Sequence, residues 1–514
     1  MREKGEGRGR RQKRAWAMFV LVLTLGWLPG QGVGLGAVGK EFLIAPGPVF
    51  PYTPAVAYDP ASGRFLVVYQ RSVGADLRGR LLDASGKRVG SSFIISSDVF
   101  GSSVVAFEEA NQSFLVVWMQ VNADVGGGNI WGRRVGTDGT FLGARFAIST
   151  GNGVFPSVAY DPAGRRFLVV WEGGEGIYAR LVGADGSLLG GEIVIGTGPG
   201  GNSQSAVAYD PANRGFLVVW EGQSELDLNG PNVYGRRVGS NGSLPGERFK
   251  ILSNPFCHTR CTVAYDATHG RFLVAWATRG SDGSGEIVGR LVEANGTLLG
   301  TPFSLSIARM VGDLGISAAY DPVKGRFLVV WGAIPLGKRF HGSEGGLYGR
   351  QVNADGSLFP DREQPVAARP LGWSPGVAHD SVNRRFLVVW TPGESSAGGL
   401  HGLLLADLPV EGGRLGISSK KLSFSQVEVG GAKSRSLVLK NGGKGELYGR
   451  MGTLDGPFGI LSGGGDFTLG SGESKTVTVQ FAPTDPGRVT SVLEITSTDP
   501  KQMSVRVQVS GAGK

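Results

Sequence analysis

One phrase of fourteen residues recurs seven times, and no other feature limits the fold so tightly. It reads VAYDPASGRFLVVY at 56–69, VAFEEANQSFLVVW at 105–118, VAYDPAGRRFLVVW at 158–171 and VAYDPANRGFLVVW at 207–220. It returns as VAYDATHGRFLVAW at 263–276, AAYDPVKGRFLVVW at 318–331 and VAHDSVNRRFLVVW at 377–390. The phenylalanines that mark it, Phe65, Phe114, Phe167, Phe216, Phe272, Phe327 and Phe386, are 49, 53, 49, 56, 55 and 59 residues apart. A repeat of that length is one supersecondary unit that buries its apolar faces only by stacking on its neighbours.

Each period holds four β-type runs. VAYD is the first, and FLVVW, rich in β-branched and aromatic residues, is the second; a D-P-x-x-G/N turn joins them. The third, such as IYARLV (177–182) or VYGRRV (233–238), ends at an Asp-Gly or Asn-Gly pair that tolerates positive φ: Asp138-Gly139, Asp185-Gly186, Asn241-Gly242, Asn295-Gly296 and Asp355-Gly356. The fourth falls at Phe93–Ile95, Arg145–Ile148, Glu192–Ile195, Arg248–Leu252 and Phe303–Leu305. Four antiparallel strands per period describe a propeller blade. After Phe386 only a third run remains (401–408), whereas Glu41–Ala45 precedes the first repeat as a stray fourth run. A ring whose last blade takes its outer strand from the start of the chain leaves no bare edge. The expectation is all-β: a seven-bladed propeller over 41–408, a linker at 409–416 and a β-sandwich over 417–514.

The net charge of +9 suggests nucleic acid until it is located. Residues 1–14 carry seven Lys/Arg against two Glu, a net of +5, which leaves +4 for the other 500 residues. That basic head precedes the apolar run Ala15–Leu28, then Pro29 and the small residues Gly34, Gly36 and Ala37. This is the layout of an export signal, expected over 1–37, and the run is too short to span a bilayer. The mature protein is expected outside the cytoplasm, periplasmic or extracellular, with no membrane span. No basic stripe for nucleic acid follows. Cys257 and Cys261, in CHTRC, are the only cysteines. A local disulfide, free thiols and a metal site with His258 all remain open, although zinc would need more ligands than the neighbourhood holds. No metal or cofactor is expected.

The VAYD…FLVVW…GR…DG repeats resemble those of secreted bacterial propeller proteins, and by shape they are similar to Kelch and WD40 propellers. They lack the S-x-D-x-G-x-T-W box of sialidases and the G-H…W-D pattern of WD40 blades. The resemblance covers about 41–408 and implies an architecture, not an activity.

From Arg414 the repeat stops and period-two strands follow at 422–430, 434–441, 473–483, 488–497 and 504–511. Val429-Gly430, Leu439 with Asn441 and Gly443, Phe467 before the Leu469…Gly472 turn, Val479-Gln480-Phe481-Ala482-Pro483, Gly487 and Ser497-Thr498-Asp499-Pro500 carry a second resemblance. They are similar to the ASH/Hydin and choice-of-anchor D immunoglobulin-like domains, related in fold to major sperm protein. That resemblance implies an adaptor role.

Three recurring side chains have structural readings. The acids Asp59, Glu108, Asp161, Asp210, Asp266, Asp321 and Asp380 could ring a cation, but each heads a turn where an acidic side chain binds its own backbone. The arginines Arg80, Arg133, Arg180, Arg236, Arg290 and Arg350, with Leu403 breaking the series, suggest Arg–carboxylate pairs. The aromatics Tyr69, Trp118, Trp171, Trp220, Trp276, Trp331 and Trp390 could stack sugars, but rings of this size fit between blades.

No His lies in a nucleophile–base pattern, and no G-x-S-x-G, H-E-x-x-H or phosphate-cradling loop occurs. No catalytic residue is therefore assigned, and the protein is expected not to be an enzyme. The connections after the Trp, and those between repeats, vary in length while the other two kinds do not. Variable loops on a rigid scaffold are where binding sits. Phe155, Glu172, Glu221, Asp227, Arg279 and Trp373 are the candidates there. The expectation is a binding or adhesion protein for glycan or protein. The competing readings are a propeller polysaccharide hydrolase or lyase, and a structural part of an envelope assembly. Oligomeric state is not legible.

Overall fold

A strand as apolar as FLVVW must be covered on both faces, and the second strand of every repeat lies inside its sheet. The computed structural model describes residues 35–37, 40–49, 54–71, 76–97, 99, 101–122, 127–174, 176–198, 202–224, 227–253, 257–279, 285–306, 315–333, 346–367, 375–392, 398–407, 414–443, 447–497, 499, 502 and 504–514. The apolar stretch Ala15–Leu28 of the expected export signal lies outside them.

Six antiparallel four-stranded sheets follow in chain order. Blade 1 is Ala55–Asp59, Arg64–Gln70, Leu77–Asp83 and Arg88–Ser96. Blade 2 runs from Ser103–Glu108 to Phe146–Ala147, blade 3 from Val154–Asp161 to Leu188–Thr197, and blade 4 from Asn202–Asp210 to Phe249–Ser253. Blade 5 runs from Cys257–Asp266 to Leu298–Ser304, and blade 6 from Ile316–Asp321 to Leu358–Ala367. Blade 7 contributes Gly376–Asp380, Arg385–Trp390 and Leu400–Asp407, and Phe42–Ala45 supplies its outer strand, with Phe42 opposite Gly402 and Leu43 opposite His401. Leu35–Ala37, inside the segment expected to be removed, also pairs with this blade, Ala37 opposite Leu405. In blades 1, 3 and 5 the fourth strand starts directly after the hairpin, several residues earlier than expected. Gly90, Gly190 and Gly300, all at positive φ, interrupt the apolar pattern there.

The core is a ring of seven clusters, each shared by two adjacent blades. Trp118 packs with Leu66 and Val68 of blade 1, Trp171 with Leu115 and Val117 of blade 2, and Trp220 with Leu168 and Val170 of blade 3. Trp276, Trp331 and Trp390 repeat this at the next three junctions. Tyr69 closes the circle with Leu387 and Val389 of blade 7. All seven rings are 3% exposed or less, so they are packing groups and not sugar platforms.

The seven acids are also buried, and each binds its own turn as expected: Asp59 accepts from Ala61 N at 2.9 Å and Asp266 from Thr268 N at 2.8 Å. They have a second task. Tyr265 of blade 5 donates to Asp210 of blade 4 at 2.6 Å, and Tyr320 of blade 6 donates to Asp266 of blade 5. Tyr160 lies 3.5 Å from Glu108, and His379 stands 3.6 Å from Asp321. Tyr209 and Tyr58 face Asp161 and Asp380 across their junctions, but neither hydroxyl makes a hydrogen bond. Phe107 leaves the blade 1–2 junction without this bond.

The third-strand arginines are structural, but their partner is not a carboxylate. Nη1 of Arg133, Arg180, Arg236, Arg290 and Arg350 donates to the backbone oxygen of Ile95, Ile148, Ile195, Ile251 and Leu305, in each case on or directly after the outer strand of the preceding blade, at 2.6–3.0 Å. A carbonyl whose own strand ends there needs a donor, and the guanidinium reaches it across the blade gap. A further latch joins the first turn of one blade to the third-strand turn of the next: Arg64 donates to Thr137 O, Arg271 to Ala354 O and Arg385 to Ala84 O.

The first turn places its fifth residue in the left-handed region. Gly63, Gly270 and Gly325 fill it in three blades, and Gln112, Arg165, Arg214 and Arg384 in the others, at φ 48–54°. An L-residue there costs about 1–2 kcal/mol, offset by about 0.4–1 kcal/mol because glycine is freer when unfolded. Arg214→Gly, at an exposed tip, is therefore expected to stabilise the protein by roughly 0.5–1 kcal/mol. A urea midpoint that rises with unchanged slope checks it.

The sandwich begins at Leu415, two residues inside the expected linker. Leu415–Ile417, Lys433–Asn441, Ser474–Phe481 and Phe458–Ser462 form one sheet. Lys421–Val427, Ser504–Gly513, Gly487–Ser497, Leu447–Met451 and Asp466–Leu469 form the other, with the first two parallel. Phe424, Phe458 and Phe481 centre its core. Asn441, fully buried, donates to Leu469 O and accepts from Arg414 N and Gly443 N, while Asp499 accepts from Leu415 N.

Candidate functional site

The two rims of the propeller have different chemistry. First-turn and third-strand-turn residues lie together on one rim, where the acids, tyrosines and arginines are committed to the latches described above. The opposite rim carries the connections of variable length: the ends of the second strands, the starts of the third, and the links between blades.

On that rim Glu172 is the last residue but one of the second strand of blade 3, Arg166–Gly173, opposite Val154. Burial pushes its carboxyl above the usual range, and its one described bond comes from Gln204 N of blade 4 at 3.4 Å. Phe155 and Gln204 hold equivalent places six residues before the turn acid, both at φ 49–50°, where the first strands of blades 3 and 4 break register. For a side chain with a Cβ this conformation is strained, and strained backbone concentrates at functional sites. Glu221 lies opposite Ser203 and Val233, half-buried. Asp227 and Arg279 sit at the start of the third strand of blade 4 and the end of the second strand of blade 5, but their side chains lie outside the described ones. Trp373 is outside the described residues altogether. The structure thus brings Phe155, Glu172 and Gln204 together at one junction and leaves Glu221 one blade on.

Cys261 is buried at the next junction, its Sγ 3.2 Å from Gln204 O. The pairing considered with Cys257 involves a side chain outside the described ones. Among the described residues no group of three His, Cys, Asp or Glu is placed to hold a metal.

Sequence reading missed one cavity on this rim. It measures about 260 Å³ and lies at the outer part of blade 3, between the blade 2–3 link (Thr150, Asn152), the second-strand end (Trp171, Gly173) and the side chains of Tyr178 and Glu192. Tyr178 is half-buried and stacked on Trp171, ring centres 6.5 Å apart and planes at 19°. Glu192 Oε1 accepts from Thr150 N at 2.5 Å and from Thr150 Oγ1 at 2.9 Å. A Cβ on Gly173 would stand 2.7 Å from Asn152 O, so glycine keeps this wall thin.

Fold and rim together define an all-β repeat protein, a seven-bladed propeller joined to an immunoglobulin-like module, whose variable surface is one propeller rim. Residues 415–505 match the family described as abnormal spindle-like microcephaly-associated, ASPM-SPD-2-Hydin, or ASH, so the sandwich is an ASH-type domain. It is similar to the ASH/PapD-like domain 7 of human CEP192, with 17% identity over 21% of this chain and 88% of that one, TM-score 0.18. The propeller is similar to a protein of unknown function from Dyadobacter fermentans, with 14% identity over 73% of this chain and 99% of that one, TM-score 0.45. It is also similar to the Dos1 propeller, with 11% identity over 72% and 95%, TM-score 0.40. These likenesses concern the fold. No curated protein matches the chain.

Proposed function

We propose that the protein is a non-enzymatic binding protein working outside the cytoplasm, holding a glycan or protein ligand on the variable rim while the ASH-type sandwich serves as adaptor. The observation that carries this reading is the asymmetry of the rims. One has its polar groups committed to holding blades together, whereas the other offers a half-buried carboxylate, strained first strands and an aromatic cavity. The basic head and apolar run of residues 1–28 support export.

The test is retention of the whole exported protein on a panel of insoluble polysaccharides and envelope fractions, with soluble sugar assayed in the same tubes. Retention without release is expected, and Glu172→Gln together with Glu221→Gln should lower it several-fold. Time-dependent release would overturn the non-enzymatic reading. It would direct attention to Glu172, whose raised pKa suits a general acid.

A further inference from the structure

The seven blades serve as internal controls for one position, the third-strand residue directly opposite the second-strand aromatic. Blades 2 and 4 put Trp131 and Tyr234 there, facing Trp118 and Trp220. The fourth-strand register places Arg145 and Arg248 at equivalent positions beside them. Both guanidinium groups cover the ring, 4.8 Å above Trp131 and 5.1 Å above Tyr234. Blade 7 has His401 in the aromatic position and Glu41 in the arginine position, with His401 Nδ1 2.5 Å from Glu41 Oε1.

Blade 3 departs from blades 2 and 4. Tyr178 faces Trp171, and the register puts Glu192 where blades 2 and 4 have arginine. A carboxylate is repelled by the ring face that attracts a guanidinium. Glu192 is instead turned to Thr150, leaving the cavity of about 260 Å³ beside the ring. Tyr234 under its arginine is 4% exposed, whereas Tyr178 is half-buried. Aromatic face and carboxylate are the two groups that favour a cation, and no cationic side chain is among those lining this cavity. Its volume falls just below the roughly 300 Å³ at which pockets for whole small molecules begin, so it takes a single group.

The geometry points to a recognition slot for the guanidinium of an arginine side chain presented by a partner protein, laid over Tyr178 and paired with Glu192 as Arg145 and Arg248 are laid over their own rings. The slot rests on the rim-binding reading and names its ligand chemistry. Blade 6 repeats the Tyr–Glu pair in Tyr348 and Glu363, with neighbouring loops at 334–345 and 368–374 outside the described residues.

The test titrates the whole protein at low salt with N-acetyl-arginine amide, its neutral isostere N-acetyl-citrulline amide, and N-acetyl-lysine amide, by ligand-observed NMR. One cation–π contact and one ion pair allow saturable binding of the arginine compound in the millimolar range, with the citrulline compound at least about ten-fold weaker. Glu192→Gln keeps an acceptor for Thr150 and should weaken binding about five-fold. Glu192→Arg installs the arrangement of blades 2 and 4; it should abolish binding without lowering the melting temperature. Equal binding of arginine and citrulline compounds, or binding that survives Glu192→Arg, overturns the slot. Lysine binding as tightly as arginine overturns the guanidinium assignment. The panel above separates the two readings: a wild-type protein retained there without binding the arginine compound loses only the slot. One retained nowhere loses the rim reading, and the titration still judges the slot.

Discussion

A chain that begins at Pro46 is expected to lose cooperative unfolding and to associate, although it keeps every residue of the seven repeats. Phe42–Ala45 is the outer strand of blade 7, so its removal bares the N–H and C=O groups of Leu400–Gly402. An open strand edge is a template for pairing with another chain. The deletion also takes Ile44, fully buried, out of the cluster that joins blade 7 to blade 1. What then remains across that junction is the Tyr58–Asp380 pair, the Arg385 bond to Ala84 O and a cluster missing one wall. Ile44→Asp makes the same point without shortening the chain, because an unpaired carboxylate in that cluster costs at least about 3–5 kcal/mol. Ile44→Val, by contrast, should cost about 1 kcal/mol. Size-exclusion chromatography with thermal unfolding reads all three. A peptide of residues 35–45 added to the shortened chain should restore a single sharp transition, since the strand it replaces is joined to the ring by pairing and packing. If the shortened chain melts like the full one, residues 42–45 do not close the ring.

The closure was legible because Glu41–Ala45 reads as a fourth strand without its first three. The Trp positions were legible because large apolar residues at a fixed place in every repeat have one economical use. The arginine partners were not. Every residue carries a carbonyl, so a donor whose acceptor is Ile95 O or Ile148 O leaves no mark on the acceptor's side chain. The Tyr–Asp contacts were half legible: the two residue types adjoin in the phrase VAYD, but they join different repeats, with the tyrosine reaching back about one period to the previous acid. In the sandwich, Leu447–Met451, Phe458–Ser462 and Asp466–Leu469 escaped because glycines dilute the alternation between 447 and 465. The cavity at Tyr178 escaped for another reason. Comparing repeats draws attention to what recurs, whereas this site exists where Glu192 replaces the arginine of its neighbours.

The Tyr–Asp contacts should limit the ring at both ends of the pH scale, and Asp380→Ala is the sharpest probe because its loss falls on the junction that closes the ring. Burial alone pushes the Asp380 carboxyl up, but the facing Tyr58 hydroxyl and the bonds from Asn383 and Arg385 outweigh it and hold it below the usual carboxylate range. Asp161 is lowered against its own burial by Ser240, Tyr209 and Gly164 N, and Asp321 against its burial by His379. A carboxyl whose folded pKa is depressed adds stability above its unfolded pKa, near 4. That stability is lost as pH falls through the folded value, so unfolding should set in below about pH 4 and steepen with further acid. The tyrosines act in the other direction. Burial, then the neighbouring acid, raises Tyr320 to about 12, and the same causes raise Tyr58 and Tyr265. A raised phenol adds stability below its unfolded pKa near 10 and loses it as pH climbs toward the folded value, so alkaline unfolding should begin above about pH 10. Asp380→Ala removes at once the acceptor of Asn383 Nδ2, Arg385 Nε and the backbone N–H groups of Val382 and Asn383. Asn383 is exposed and Arg385 half-buried, so water replaces part of what each loses, and a loss of roughly 1–3 kcal/mol is expected. Asp380→Asn retains one acceptor and should lose less, with a flatter acid limb because the titrating group is gone. Tyr58→Phe removes a hydroxyl that makes no hydrogen bond, so it should cost less than about 1 kcal/mol and leave the acid limb in place. An Asp380→Ala protein as stable as its parent at pH 7, with an unchanged acid midpoint, would mean that apolar packing alone holds blade 7 to blade 1.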